Sequence, residues 1–154
     1  MAKKPTAPPI YVLNGPNLNL LGLREPEIYG RTTLEEIGKM VADRAKTHGL
    51  SVVFRQSNHE GQLVDWIQEA RTKSAAILIN GGAYSHTSLA IHDALRAVDV
   101  PVIEVHLSNP QAREEFRHHS RISPVAKGVI VGFGAQGYLL AVDAAASLVK
   151  RIGA

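Results

Sequence analysis

Two pairs of side chains in this sequence have the types and spacing of acid–base chemistry. His106 closes an apolar, β-branched run, and Glu104 stands two residues before it. Alternate residues of a strand share a face. The carboxylate can therefore hold one imidazole nitrogen while the other meets a ligand, the arrangement of a general acid and its orienter. A purely structural His–Glu pair at a strand end fits the same spacing. The second pair, Arg24 and Tyr29, lies in "NGPNLNLLGLREPEIYG", Asn14 to Gly30, which has neither helical nor strand periodicity. A loop of that length inside a compact domain is usually functional or disordered. An unperturbed tyrosine ionises near pH 10, so a tyrosinate base needs a cation beside it. Arginine supplies one without itself titrating. Each pKa unit is worth about 1.36 kcal/mol, so lowering a tyrosine by about two units asks for roughly 3 kcal/mol of guanidinium and hydrogen-bond support. That calls for a closed, partly dry site, hence for a lid.

Further polar residues gather in "NGGAYSHTS", with His86, and in "HLSN". Arg113, Arg117 and Arg121 recur at four-residue spacing in "AREEFRHHSR". As a helix following the Asn109–Pro110 cap and first-turn pair, this segment would put all three on one face, where like charges repel. Two of the three are expected to be solvated and one to face an anionic ligand. His118 and His119, adjacent on that helix, would point apart into solvent. "GFGAQG" matches GxGxxG at Gly132, Gly134 and Gly137, but it belongs to the last βα unit, with no further strand to carry a ribose-binding acid. Close helix–strand packing explains it better.

Several chemistries lack their residues. There is no cysteine, hence no disulfide, thiolate metal site or cysteine nucleophile. No HExxH or dense His/carboxylate cluster suggests a metal, and neither a Walker loop nor a GxSxG elbow is present. Lys39, Lys46, Lys73 and Lys127 lie in helices or before a strand, so none is placed for a Schiff base.

The elements that must position these groups follow from periodicity. Five apolar runs read as buried strands, at 10–13, 51–55, 75–80, 100–107 and 128–133. Helical segments alternate with them. The first, "TLEEIGKMVADRAKTHG", puts Leu34, Ile37, Met40, Val41 and Ala45 on one face, with Thr33 and Glu36 at capping-box spacing and Gly49 as its stop. A second runs over "EGQLVDWIQEAR" and buries Leu63, Val64 and Ile67. A third covers "SLAIHDALRAV", a fourth follows Pro110, and the last is "GYLLAVDAAASLVKRI". This alternation predicts an α/β, flavodoxin-like three-layer fold with a five-stranded parallel sheet of order 2-1-3-4-5. Ligands of such sheets bind beyond the carboxyl ends of the strands, near the switch point, which is the rim where the polar segments crowd.

With 154 residues the chain holds one domain, expected over 10–154, preceded by a flexible tail at 1–9. Its 45% hydrophobic and 20% charged residues describe a soluble globular protein. No apolar run is long enough to span a bilayer, and "MAKKPTAPP" is no secretion signal. A cytoplasmic location without membrane association is expected. The net charge of +3, partly from Lys3 and Lys4, suits a mildly basic surface or a small anionic substrate better than nucleic acid.

The blocks "LNGPNLNLLGLREPEIYG", "RQSNHEGQLVDWI", "NGGAYSHTSLAIHDAL", "PVIEVHLSNPQAREEFRHHS" and "GVIVGFGAQGYLLA" closely resemble type II 3-dehydroquinate dehydratase from about Ile10 to Leu148. Gly81 stands where many members have proline, a change expected to loosen the substrate loop slightly, and Ser85 where threonine is usual. The resemblance implies a hydro-lyase needing no cofactor and no metal, which converts 3-dehydroquinate to 3-dehydroshikimate by anti elimination through an enolate. That activity serves shikimate biosynthesis, on the way to aromatic amino acids, or quinate breakdown. It also implies a homo-oligomer, a dodecamer built as a tetramer of trimers. By position, Tyr29 resembles the base, Arg24 the cation that keeps it ionised, and Asn17 the side chain holding an enolate-stabilising water. His106, oriented by Glu104, resembles the acid. Asn80, Gly82, His86 and Arg117 match substrate-holding positions, Leu107 and Ser108 the carboxylate pocket, and Asp93 a residue reaching in from a neighbouring subunit. The alternative from another class is a non-enzymatic flavodoxin-like module for a flavin or nucleotide. A receiver-type domain would need an acidic pocket at strand one, which "NGPN" does not offer.

Overall fold

In the computed structural model, residues 7–149 are described. Five strands, β1 (Ile10–Asn14), β2 (Val52–Gln56), β3 (Ala76–Asn80), β4 (Val102–His106) and β5 (Gly128–Val131), form one parallel sheet of order β2-β1-β3-β4-β5, the order predicted. Strict alternation sorts the side chains. Ile10, Val12, Ala76, Leu78, Ile103 and Val105 pack on one face with helices α2 (Leu34–Thr47) and α5 (Ala135–Leu148). Tyr11, Leu13, Ile77, Ile79 and Val102 pack on the other with α3 (Glu60–Lys73) and α4 (Leu89–Arg96). Full burial of each such Leu, Ile or Val is worth about 1.5–3 kcal/mol, and the two cores fix the register of every strand that enters the rim.

The inner strands β1, β3 and β4 are buried throughout, as their apolar runs predict. Edge strands β2 and β5 are only partly covered, because each has a neighbour on one side alone. The α2 signals act as expected. Thr33 Oγ1 accepts from the Glu36 amide, and Gly49, at φ +70°, lets the Leu50 amide turn back to the Ala45 carbonyl. Met40, expected on the buried face, is instead 37% exposed, since Ile37, Val41 and Ala45 suffice for the stripe that faces the sheet. Val64 is partly buried beside the fully buried Leu63 and Ile67.

The expected fourth helix does not form. Single 3-10 turns occupy Pro110–Ala112, Glu115–Arg117 and Ser123–Val125, and Arg113 and Glu114 between the first two are extended. Asn109 does cap, accepting from the Gln111 amide, but "AREEFRHHSR" offers only Ala112 and Phe116 as apolar residues, so there is no stripe for a helix to bury. The last helix ends at Leu148 rather than running on towards Ile152, and the remainder of that expectation lies outside the described residues. Of the expected tail, residues 1–6 also lie outside them. Ala7 is buried, and the Pro9 carbonyl accepts from the Ala75 amide. No helix among the described residues is long and apolar enough to cross a membrane.

Candidate active site

At the carboxyl ends of β1, β3 and β4 lies an open cleft of about 580 Å³, lined by Asn17, Arg24, Tyr29, Asn80, Gly82, His86, His106, Leu107, Ser108 and Arg117, with Arg113 among them. These come from segments far apart in sequence, and the sheet order alone brings them together, at the switch point the topology predicts. Among the described residues no group of His, Asp or Glu is placed to hold a metal.

His106 and Glu104 share a face of β4, as their spacing requires. His106 Nε2 lies 2.6 Å from Glu104 Oε2, which leaves Nδ1 for whatever occupies the cleft. Glu104 is 0% exposed and accepts further hydrogen bonds from Ser120 Oγ and Ser123 Oγ. Burial alone would raise its pKa. The hydrogen bond and charge of His106, with the two serine hydroxyls, outweigh that and hold it below the usual glutamate range. The carboxylate is thus a fixed anion behind the imidazole. The two serines carried no signal in the sequence, since it takes the turns before β5 to fold them under β4.

His86 ends a 3-10 turn over Gly82–His86. Its Nδ1 meets the His119 carbonyl at 2.8 Å; a carbonyl only accepts, so this nitrogen carries the proton and Nε2 is the available one. The ring stacks on His106 at 6.5 Å between centroids. His118 and His119, read as solvated helix residues, are not on a helix. His118 Nε2 donates to the Arg113 carbonyl, and the His119 carbonyl orients His86.

The Asn14–Gly30 segment is not wholly irregular. A 3-10 turn covers Leu18–Leu20, and one helical turn, α1 (Pro26–Tyr29), ends at the tyrosine. The Tyr29 amide donates to the Glu25 carbonyl, and Glu25 itself sits at φ +41°. Non-glycine residues rarely hold such angles, and where they do they cluster at functional segments. The guanidinium of Arg24 lies 5.3 Å from the centre of the Tyr29 ring, so the predicted pair is brought together. A second cation, Arg113, lies 5.2 Å from the same ring. Sequence spacing had set two of the three arginines in solvent. With no helix to order them, Arg113 and Arg117 both line the cleft while Arg121 is exposed. Arg117 Nε is held by Glu114 Oε2 at 3.0 Å, and Arg113 Nη1 reaches Ser108 Oγ at 3.4 Å.

Asn80 is 3% exposed and its amide is largely spent within the protein. Oδ1 accepts from the Gly82 amide and Nδ2 donates to the Tyr138 hydroxyl. Around Gly81 the turn is packed closely: a Cβ there would fall 2.6 Å from Ser85 Oγ and 2.7 Å from Ile122 Cδ1. Asp93 is exposed on α4 and does not line this chain's cleft. In the glycine motif, the Gly132 and Gly134 amides donate to the His106 and Leu107 carbonyls. A Cβ on Gly137 would reach ordinary contact with Val105 and Ile130, which is the close helix–strand packing expected.

The family model described as "Dehydroquinase class II" matches residues 8–146. A protein of Caulobacter sp. (strain K31) named 3-dehydroquinate dehydratase is 60% identical over 92% of this chain and 96% of its own. One of the same name from Rhizobium meliloti (strain 1021) is 61% identical over 92% and 96%. Among solved structures, the type II dehydroquinase from Propionibacterium acnes superposes with a TM-score of 0.89 at 44% identity, covering 94% of this chain and 99% of that one. With cleft, fold and sequence agreeing along nearly its whole length, the chain belongs to the class II dehydroquinase family.

Proposed function

We propose that the protein is a 3-dehydroquinate dehydratase, a hydro-lyase that forms 3-dehydroshikimate by anti elimination. Family membership supports the reaction. The observation that carries the mechanism is the placing in one cleft of a tyrosine with two guanidiniums near its ring and an imidazole backed by a buried carboxylate. Tyr29, as phenolate, takes the proton beside the substrate ketone. Arg24 and Arg113 supply positive charge beside that anion. The electrons left on carbon pass to the ketone oxygen as an enolate, stabilised by a water held on Asn17. When the enolate collapses, the C–O bond breaks and protonated His106 delivers its proton to the departing hydroxyl, with Glu104 stabilising the imidazolium. Water leaves and the conjugated enone remains. Arg117, His86, Asn80 and Gly82 hold the ring hydroxyls, and the Leu107–Ser108 backbone takes the carboxylate. No metal or cofactor enters this scheme.

A chain that acts as a homo-oligomer, a dodecamer of four trimers, completes the reading, with Asp93 entering the neighbour's site. A second depression of about 700 Å³ shares His86, His106 and Arg117 with the cleft and is walled by Val129 and Val131 of edge strand β5, giving a neighbouring chain a route to those three groups. A cytoplasmic location rests on the family alone. The flavin or nucleotide module is not favoured by the family match. Enone absorbance appearing when purified protein meets 3-dehydroquinate is the expected result. A protein that binds flavin and produces no enone overturns the proposal.

A further inference from the structure

The end of β1 and the end of β3 lie opposite one another, Asn14 paired in register with Asn80. By strand alternation both side chains point to the α5 face of the sheet, where Tyr138 is 0% exposed. The Tyr138 hydroxyl donates to Asn14 Oδ1 at 2.7 Å and accepts from Asn80 Nδ2 at 2.9 Å. Asn14 Nδ2 then donates to the Arg55 carbonyl at 2.9 Å, and Asn80 Oδ1 accepts from the Gly82 amide at 3.1 Å. A carbonyl can only accept and an amide N–H can only donate, so the two ends fix the direction of every link between them. Burial pushes the Tyr138 phenol well above its ordinary value, so the hydroxyl keeps the one proton the chain needs. The network runs from β2 through β1, α5 and β3 to the turn that carries His86, and only its last members touch the cleft.

We infer that Tyr138, which does not line the cleft, is a positioning residue that locks the Asn80 amide, and through Gly82 the His86 turn, in the orientation that binds substrate. Without its hydroxyl, Asn80 Nδ2 loses a buried partner and the amide is free to rotate. Rotation would turn an N–H towards the Gly82 N–H, donor against donor. Gly82, at φ +56°, depends on that acceptor to hold the start of the turn.

The inference rests on Asn80 and His86 contacting substrate, and the experiment keeps the two claims apart. Steady-state kinetics are measured for Tyr138→Phe, Asn80→Ala and a control, Tyr11→Phe, which removes another buried tyrosine hydroxyl, one bonded to Glu69 on the opposite face. Tyr138→Phe is expected to raise KM about tenfold, the worth of one buried hydrogen bond. Its kcat should change much less, and the Gly82 amide should exchange faster with solvent. Tyr11→Phe should leave KM unchanged. If Asn80→Ala raises KM but Tyr138→Phe behaves as Tyr11→Phe does, the positioning role is wrong and the site stands. If Asn80→Ala also leaves KM unchanged, the site reading itself fails. Should Tyr138→Phe not fold, Asn14→Ser removes the acceptor that points the tyrosine's proton away from Asn80 Nδ2, so the hydroxyl is no longer held as the amide's acceptor. A smaller rise in KM with faster Gly82 exchange is then expected, and native KM with native Gly82 exchange would overturn the inference.

Discussion

Tyr29 is touched by two cations where the sequence suggested one, and this changes what its neighbours should do when removed. Tyr29→Phe keeps the ring and loses only the hydroxyl, so if Tyr29 is the base proposed above, substrate should still bind while kcat falls by about 10³-fold or more. Arg24→Ala and Arg113→Ala each leave one guanidinium at the ring, so each should lower kcat by about ten- to a hundredfold. The double arginine variant should fall further than either. Adding either arginine change to Tyr29→Phe should cost little more, because no anion is left to stabilise. If a triple variant loses the product of all three effects, the arginines act on substrate rather than on Tyr29. At the other side of the cleft, Glu104→Gln preserves shape but meets three donors with a neutral amide, one end of which is itself a donor. It should lower kcat about ten- to a hundredfold, as expected when an orienting partner is lost. It should also alter stability against pH. The Glu104 carboxyl is held below its ordinary 4.5, so the native protein gains stability present above that pH and lost as the pH falls through the folded value. Glu104→Gln should therefore flatten the acid limb of the Tm–pH curve.

The elements carry the predictable part of the site and also its surprises. Strand alternation alone placed Glu104 with His106, and the strand order alone brought the Asn14, Asn80 and His106 rims together, because continuous apolar runs mark buried inner strands and right-handed crossovers leave few orders. What the sequence could not give was the path of segments that bury little. "AREEFRHHSR" has a helical charge spacing but no apolar stripe, and its backbone breaks into turns that aim Arg113 and Arg117 inward. Likewise Ser120 and Ser123 reach Glu104 only after those turns are folded. The Tyr138 network was hidden for a different reason: each link joins residues distant in sequence, and Tyr138 reads locally as one more apolar position of α5. The Gly81 turn is the sharpest test at this scale. Gly81→Ala would drive a methyl into Ser85 Oγ and Ile122, and such overpacking typically costs about 1–3 kcal/mol. Equilibrium denaturation should show that loss, with KM rising because the same turn carries His86. Unchanged stability would mean that Ser85, whose hydroxyl has no partner among the described residues, simply rotates away.

Across the molecule the two helical layers do different work. On the α2–α5 side, Asp143 receives two hydrogen bonds from Arg44, at 2.8 and 2.6 Å, and lies 2.7 Å from His48 Nε2. Arg44, chiefly through those bonds, holds the aspartate below its ordinary value. This clasp ties the helices together far from the cleft, so Asp143→Asn should lower Tm at neutral pH with kcat preserved. On the opposite side, α4 presents exposed Asp93 away from its own cleft. If that carboxylate completes the neighbour's site, activity belongs to the junction between chains, and two defects should repair each other. Asp93→Ala chains keep His106, and His106→Ala chains keep Asp93, so neither homo-oligomer is active. In a hybrid trimer, a junction is whole wherever an Asp93→Ala chain faces an Asp93-bearing neighbour in the correct order. Random equal mixing through unfolding and refolding should then restore about a quarter of native activity, the chance of that ordered pairing around a cyclic ring. Mixing without unfolding should restore none if the chains do not exchange. Should Asp93 act within its own chain, no hybrid contains a complete site, and activity after co-refolding will stay at the level of the separate variants.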